Sequence, residues 1–176
     1  MPYRRLFIWV EGPDDTRFFD RVIKPLFSTS HDWVEVREYS GLPRNKLRDF
    51  LRGIRAMRAD CLFVVDLNQS PCISERKRRL RTKLRGLRDE EILVVCPEIE
   101  AWYLAGLGPE ARKTLRLKWK GIGTDDCTKE RFNAVQPVRF ESRIDFLIEI
   151  LKVHAADRAM QANSSFRYCV ERHGLR

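Results

Sequence analysis

The sequence predicts an α/β protein: a central, mostly parallel four-stranded sheet flanked by helices, with further helices after it. Three apolar runs, LFIWV (6–10), CLFVV (61–65) and EILVV (91–95), are continuous rather than alternating. Continuous runs of this length are strands buried on both faces, as in parallel sheets. Helix-period stripes lie between them, and strand–helix alternation is the pattern of an α/β sheet with right-handed crossovers.

The elements follow in order. After the first run, Phe18, Phe19, Val22, Ile23 and Leu26 form a broad helical stripe. WVEVREY (33–39) alternates, as an edge strand with one wetter face does. Pro43 is placed to open a helix that turns Leu47, Leu51 and Ile54 inward and Arg44, Lys46, Arg48, Arg52 and Arg55 largely outward. A third helix over about 73–87 aligns Leu80, Leu84 and Leu87, and PEIEAWYLAGL (97–107) makes a short helix ended by Gly106 or Gly108. A polar, basic stretch (109–140) follows, then helix stripes at Ile144, Leu147, Ile148 and Leu151, and at Phe166, Cys169 and Val170. The expected organisation is an α/β core over 1–108 and a helical extension over 109–176 packed on it.

Composition narrows the functional classes. An apolar content of 43%, with ten Phe, four Trp and four Tyr, excludes a disordered chain. Lys and Arg number 34 against 25 acids, a net charge of +9, which suits a polyanionic partner or serves solubility. The five cysteines form no C-x-x-C pair and the three histidines are scattered, so a zinc site is not expected. A reducing cytoplasm fits that cysteine usage. Arg4 and Arg5 precede an apolar run too short for a signal peptide or a membrane span.

The chemistry concentrates at strand ends. Glu11 and Asp66 are the first residues after their apolar runs, and Glu98 follows the third after Cys96 and Pro97. Ligands of open parallel sheets bind outside the carboxyl ends of the strands, so the three carboxylates are expected to converge there. Clustered carboxylates repel one another unless a cation joins them, and hard Mg²⁺ prefers oxygen ligands. Asp14, directly before the first helical stripe, is expected to cap that helix instead.

These residues resemble the Toprim family. FIWVEGPDDTRFF (7–19) is similar to its first motif, an apolar strand ending in Glu-Gly with an Asp three residues later: here Glu11, Gly12 and Asp15. VVDLN (64–68) resembles the second, a strand ending in Asp-x-Asp. VVCPEIEAWYLAG (94–106) looks like the third block of small Toprim-like proteins related to the OLD-family nucleases. The likeness covers 1–108, with SSFRYCVERHG (164–174) a fainter match. It implies a Rossmann-type sandwich and a Mg²⁺- or Mn²⁺-dependent nuclease. Glu11 would act in proton transfer or hold metal, Asp66 would be the main ligand, and Asp15, Glu98 and Glu100 would be further ligands or neighbours. Gly12 would let a phosphate approach the backbone, and Lys129 would supply the distant lysine that related nucleases bring in. The OLD-family nucleases carry an ATPase in the same chain, which implies a possible ATPase partner protein. The sequence departs from the motif at Asn68, which stands where the second Asp would. Its carbonyl oxygen can still ligate, but it adds no charge to hold a second metal.

Two readings attach to the basic run SERKRRLRTKLRGLR (74–88), with its eight Lys or Arg. Arg76, Lys77, Arg79 and Lys83 track nucleic-acid phosphates, or they form the solvated face of a helix. Trp119 stacks on a base or anchors a core. Arg139 and Arg143 are further candidates to meet phosphate charge, and His154 and His173 are expected to be structural. The alternatives to an enzyme are a Toprim-like module that binds nucleic acid or a protein without turnover, and a flavodoxin-like fold with Asp66 as phosphoacceptor.

Overall fold

The computed structural model describes residues 3–175. It divides into two compact units, one ending at Val94 and one beginning at Val95. A division at 108 falls after the helix Ile99–Ala105, which packs instead against later helices of the second unit.

The first unit carries a four-stranded, all-parallel sheet in the order β2-β1-β3-β4, formed by β1 (Arg5–Val10), β2 (Trp33–Glu38), β3 (Asp60–Asp66) and β4 (Ile92–Val95). Every residue from Leu6 to Val10 and from Cys61 to Val65 is at most 9% exposed, as continuous apolar runs require of strands covered on both faces. On β2 only Val34 is buried, and Trp33 is 52% exposed, in keeping with its edge position.

Helices follow each strand. α1 (Pro13–Phe18) runs through a π turn (Phe19–Ile23) into α2 (Lys24–Phe27). The wider turn brings Phe18, Phe19, Ile23 and Phe27 into the core, while Val22 and Leu26 are half-buried. α3 (Arg44–Ala56) buries Leu47, Leu51 and Ile54, and its Phe50 ring lies 5.1 Å from Trp9. Trp9 stacks on Phe63 at 5.7 Å, its partner across the β1–β3 register. Arg37 of the edge strand lies over Phe7, Trp9 and Phe50 and pairs with Glu35 at 2.6 Å.

α4 (Ile73–Lys83) ends before the expected 87. Leu84 leaves helical backbone at φ −119°, ψ 81°, yet Leu84 and Leu87 are both buried from the loop that follows. A buried carboxylate fixes that loop. Glu91, 4% exposed, accepts from Arg88 Nη2 at 2.8 Å and from Arg55 of α3 at 2.5 Å. Burial alone would raise its pKa, but the two guanidiniums hold it down at about 2.

The second unit is helical: α5 (Ile99–Ala105), α6 (Pro109–Leu115), α7 (Lys129–Val135), α8 (Arg143–Lys152), α9 (Ala156–Ala162) and α10 (Ser164–His173). Every residue of α5 is buried, and Gly106 ends it as expected. Trp102 meets Phe166 at 5.0 Å, and Phe132, Phe140 and Phe146 form a second aromatic cluster. A polar network joins the start of this unit to α10. Ser165 Oγ accepts from Trp102 Nε1 (2.8 Å) and from Cys96 N (3.1 Å), and donates to Asn163 Oδ1 (2.8 Å). Asn163 Oδ1 also caps α10 by accepting from Phe166 N at 2.9 Å.

Candidate acidic site at the carboxyl ends of the strands

Three neighbouring strands place functional groups at one edge of the sheet. Glu11 directly follows β1, Asp66 is the last residue of β3, and Tyr39 directly follows β2. Adjacent strands lie about 5 Å apart, so these residues start from a narrow stretch of backbone. Tyr39 is bound across it: its N–H donates to Val10 O at 3.0 Å and its hydroxyl to Val64 O at 3.1 Å. Burial pushes the Tyr39 phenol well above its ordinary pKa. The charges of Glu11, Asp15 and Asp66 push it further, while Arg76 opposes them. This half-buried phenol lies within electrostatic reach of Glu11, Asp15 and Asp66. Tyr39 went unnoticed in the sequence, although the strand-end logic that finds the acids also applies to WVEVREY.

The residues around them divide by role. Asp15 is 8% exposed, and its Oδ2 accepts from Gly12 N at 3.2 Å, the reach-back bond of a capping box. The cap position is Gly12, so the expectation for Asp14 is corrected: it sits inside the first turn, paired with Arg17 at 2.9 Å. Gly12 is extended (φ −153°, ψ −173°), and a Cβ there would meet nothing closer than Asp15 Oδ2 at 4.0 Å. The fold does not demand a glycine at this position. Thr16 donates to Glu38 Oε1 at 2.8 Å, fixing a further acid at the same edge.

Glu11 differs from these. Its Oε2 is shielded from solvent and accepts no hydrogen bond among the described residues. Among the described residues, no three His, Cys, Asp or Glu side chains are grouped so as to hold a metal ion. Asn68 stands in the turn after β3, exposed and in the left-handed region at φ 49°, where Asn is among the favoured residues. Ser70 N closes that turn on Leu67 O at 3.0 Å.

Of the basic run, Arg76 reaches the site. It is half-buried, and its Nε donates to Asp66 O at 2.7 Å. Lys77 donates to Asp89 O at 2.9 Å, and Arg79 pairs with Glu75 at 2.8 Å. Lys83, seven residues past Arg76, is exposed about 10 Å further along the helix.

Glu98, Glu100 and Lys129 belong to the second unit. Glu98 Oε2 accepts from the Lys129 backbone N–H at 2.6 Å at the start of α7, and the Lys129 side chain is exposed. Glu100, 4% exposed, pairs with Arg143 at 2.6 Å. Burial raises its pKa, Arg143 counters this, and nearby Glu98 adds to the rise. Trp119 is buried, donates to Gly123 O at 3.2 Å and lies under the Arg131 guanidinium at 4.9 Å, so it anchors the core and is not exposed for base stacking. His154 donates from Nε2 to Trp102 O at 3.0 Å. Its ring fills the space beside Gly106, where a Cβ would come within 2.2 Å of it. Burial pushes its pKa down to about 4, against the pull of the Trp102 carbonyl.

The sequence matches no known family and no curated protein. Among solved structures, the fold is similar to the C-terminal region of the Burkholderia pseudomallei OLD protein, with a TM-score of 0.56 at 15% identity over 98% of each chain. The class defined by fold and site is thus a Rossmann-like α/β protein with carboxylates at the strand ends, and the OLD C-terminal region shares that fold. No helix is long and apolar enough to cross a membrane among the described residues.

Proposed function

We propose that this chain is a Toprim-like nuclease that cleaves phosphodiester bonds in nucleic acid, with Mg²⁺ or Mn²⁺ held by Glu11 and Asp66. The observation that carries this reading is Glu11 Oε2, a shielded carboxylate oxygen with no donor, in the neighbourhood of Asp66. Such an oxygen fits a hard cation, and Mg²⁺ is commonly bound by one or two carboxylates, with waters and substrate phosphate completing its shell. Asp15 keeps its structural bond to Gly12. The motif resemblance and the fold likeness to the OLD C-terminal region support the same reading.

When bound, the ion supplies Lewis-acid polarisation of a phosphoryl oxygen. The chain's own groups do the rest. Glu11 handles the proton of the attacking group. Tyr39 stays protonated at neutral pH, donates to Val64 O and adds no negative charge beside the carboxylates. Arg76 braces the end of β3 through the Asp66 carbonyl and brings positive charge to a site that receives a phosphate.

The test is cleavage of DNA and RNA by the purified protein with Mn²⁺. Wild type is expected to cut, and Glu11→Gln and Asp66→Asn to lose about 100-fold or more. No cleavage by wild type, or a Glu11→Gln protein that cuts as well, overturns the reading. Lys129→Ala tests the remaining catalytic candidate, and an unchanged rate removes it. The neutral Asn68 and the absence of a three-acid group among the described residues favour a second reading, a binding module without turnover. Calorimetry separates the two: the enzyme binds Mn²⁺ in a manner that Asp66→Asn abolishes, whereas the module binds nucleic acid without metal and cuts nothing.

A further inference from the structure

The acidic site leaves most of the first unit's positive charge unexplained. α3 has five cations against one acid, and their arrangement is not uniform. Arg48, Arg52 and Arg55 recur at i, i+4 and i+7, one face of a helix, spanning about 10 Å. Together with Asn45 and Asp49 they form one wall of an open groove of about 700 Å³. Arg85 and Gly86, from the loop after α4, form the other wall, and the buried Leu51 lies beneath. The walls are tied together, because Arg55 Nη2 donates to Gly86 O at 3.3 Å and its guanidinium also grips Glu91. The groove follows α3 from Arg55, near the amino-terminal edge of the sheet, to Asn45 in the first turn of α3. That turn lies toward the carboxyl edge from which Glu11 and Asp66 emerge.

We infer that this groove is a binding track for the phosphate backbone of nucleic acid, with Arg48 and Arg85 as its principal contacts. Asp49 already pairs with Arg52, and Glu91 with Arg55. Arg48 and Arg85 are exposed and have no acidic partner among the described residues. Two guanidiniums lining one groove present planar donor forks, the geometry that suits phosphate oxygens. A protein partner fits less well. The groove offers no exposed aromatic or large apolar side chain, and stable protein interfaces rest on such anchors. Four arginines against the one acid Asp49 leave the groove a net positive charge, which matches an anionic polymer.

The inference rests on the nucleic-acid half of the proposed function and is independent of the metal chemistry. Its test is fluorescence anisotropy with a labelled 20-base-pair DNA duplex in EDTA, where no cleavage occurs, across a salt series. Arg48→Gln/Arg85→Gln is compared with Arg21→Gln/Lys24→Gln, which removes the same charge from the α1–α2 segment. Melting curves confirm that both variants fold. The groove variant is expected to bind about tenfold or more weakly, with a log K against log salt slope shallower by about 2. The control is expected to stay close to wild type. Equal losses in both variants, or no loss in the groove variant, overturn the inference. So does displacement of the duplex by polyglutamate as effective as displacement by unlabelled DNA at equal charge, which would mark an acidic protein as the occupant. A wild type that cuts with Mn²⁺ while the groove variant binds and cuts equally well sinks the groove alone. A wild type that binds through the groove and never cuts sinks the nuclease reading alone.

Discussion

Gly12 separates the demands of folding from those of function at a single residue. Its backbone is extended, and a methyl group there meets open space, with Asp15 Oδ2 at 4.0 Å as the nearest atom. Gly12→Ala should therefore leave the melting temperature within about 2 °C of wild type. If a phosphate approaches this backbone, the same methyl group should cost activity and raise KM. A variant that melts early refutes the structural account, and one with unaltered kinetics removes Gly12 from the site. His154 gives a second prediction at this scale. Its folded pKa, about 4, lies below the 6.5 of an exposed histidine. Above pH 6.5 both states are neutral. As pH falls through that value the unfolded chain takes up a proton that the folded chain refuses, so stability declines down to about pH 4. The loss attributable to His154 between pH 7 and pH 5 is about 1–2 kcal/mol. Urea titrations at the two pH values should show His154→Gln, although weaker at pH 7, losing less than wild type; parallel losses would refute the assignment.

Among the elements, legibility followed the physical origin of each signal. β1, β3 and β4 announce themselves because a strand covered on both faces tolerates no polar residue. The edge strand shows because one face stays wet. The end of α4 was hidden. Leu84 and Leu87 continue its leucine spacing, but they bury their side chains from an irregular loop held by Glu91. α6, α7 and α9 are seven residues each and carry polar residues throughout, so they lack a stripe long enough to stand out. Glu11 and Asp66 were legible because strand ends converge by topology. Tyr39 obeys the same rule and was missed because a neutral phenol is not among the usual ligands of Mg²⁺. Glu91 was illegible for another reason: Arg88 stands at the ordinary i, i+3 spacing, but Arg55 comes from α3, 36 residues away, and no spacing rule relates it to the other two. Glu91→Gln should cost about 2 kcal/mol, since it removes the charge that both guanidiniums address and leaves a buried amide with a donor they cannot accept. Because the folded pKa is depressed to about 2, wild type keeps this contribution above about pH 4.5 and loses it as pH falls towards 2. The variant's deficit in chemical denaturation should therefore shrink in acid, and a deficit that persists unchanged at pH 2.5 would count against the ion-pair account.

Across the whole molecule, the cysteines report on both units at once. None of the five forms a disulfide. Cys61 lies in β3, Cys127 before α7 and Cys169 in α10, and burial pushes each thiol up to about 12. The carboxylate of Glu91 adds to the shift at Cys61, and that of Glu100 at Cys127. A thiol reacts as its thiolate, so these three are protected twice, by packing and by protonation. Cys96 is half-buried, and its backbone is bound into the Ser165 and Asn163 network. Cys72, at the start of α4, is exposed. Titration of the native protein with a thiol reagent at pH 8 should thus show one fast equivalent that Cys72→Ser removes. Unfolding in denaturant without reductant should release all five. Fewer than five would mean a cross-link absent from the fold. Any fast equivalent in the Cys72→Ser protein would locate the opening, since Cys61 reports the sheet of the first unit and Cys127 and Cys169 report the helices of the second. Mass mapping of the modified residue then identifies which of the two units opens first.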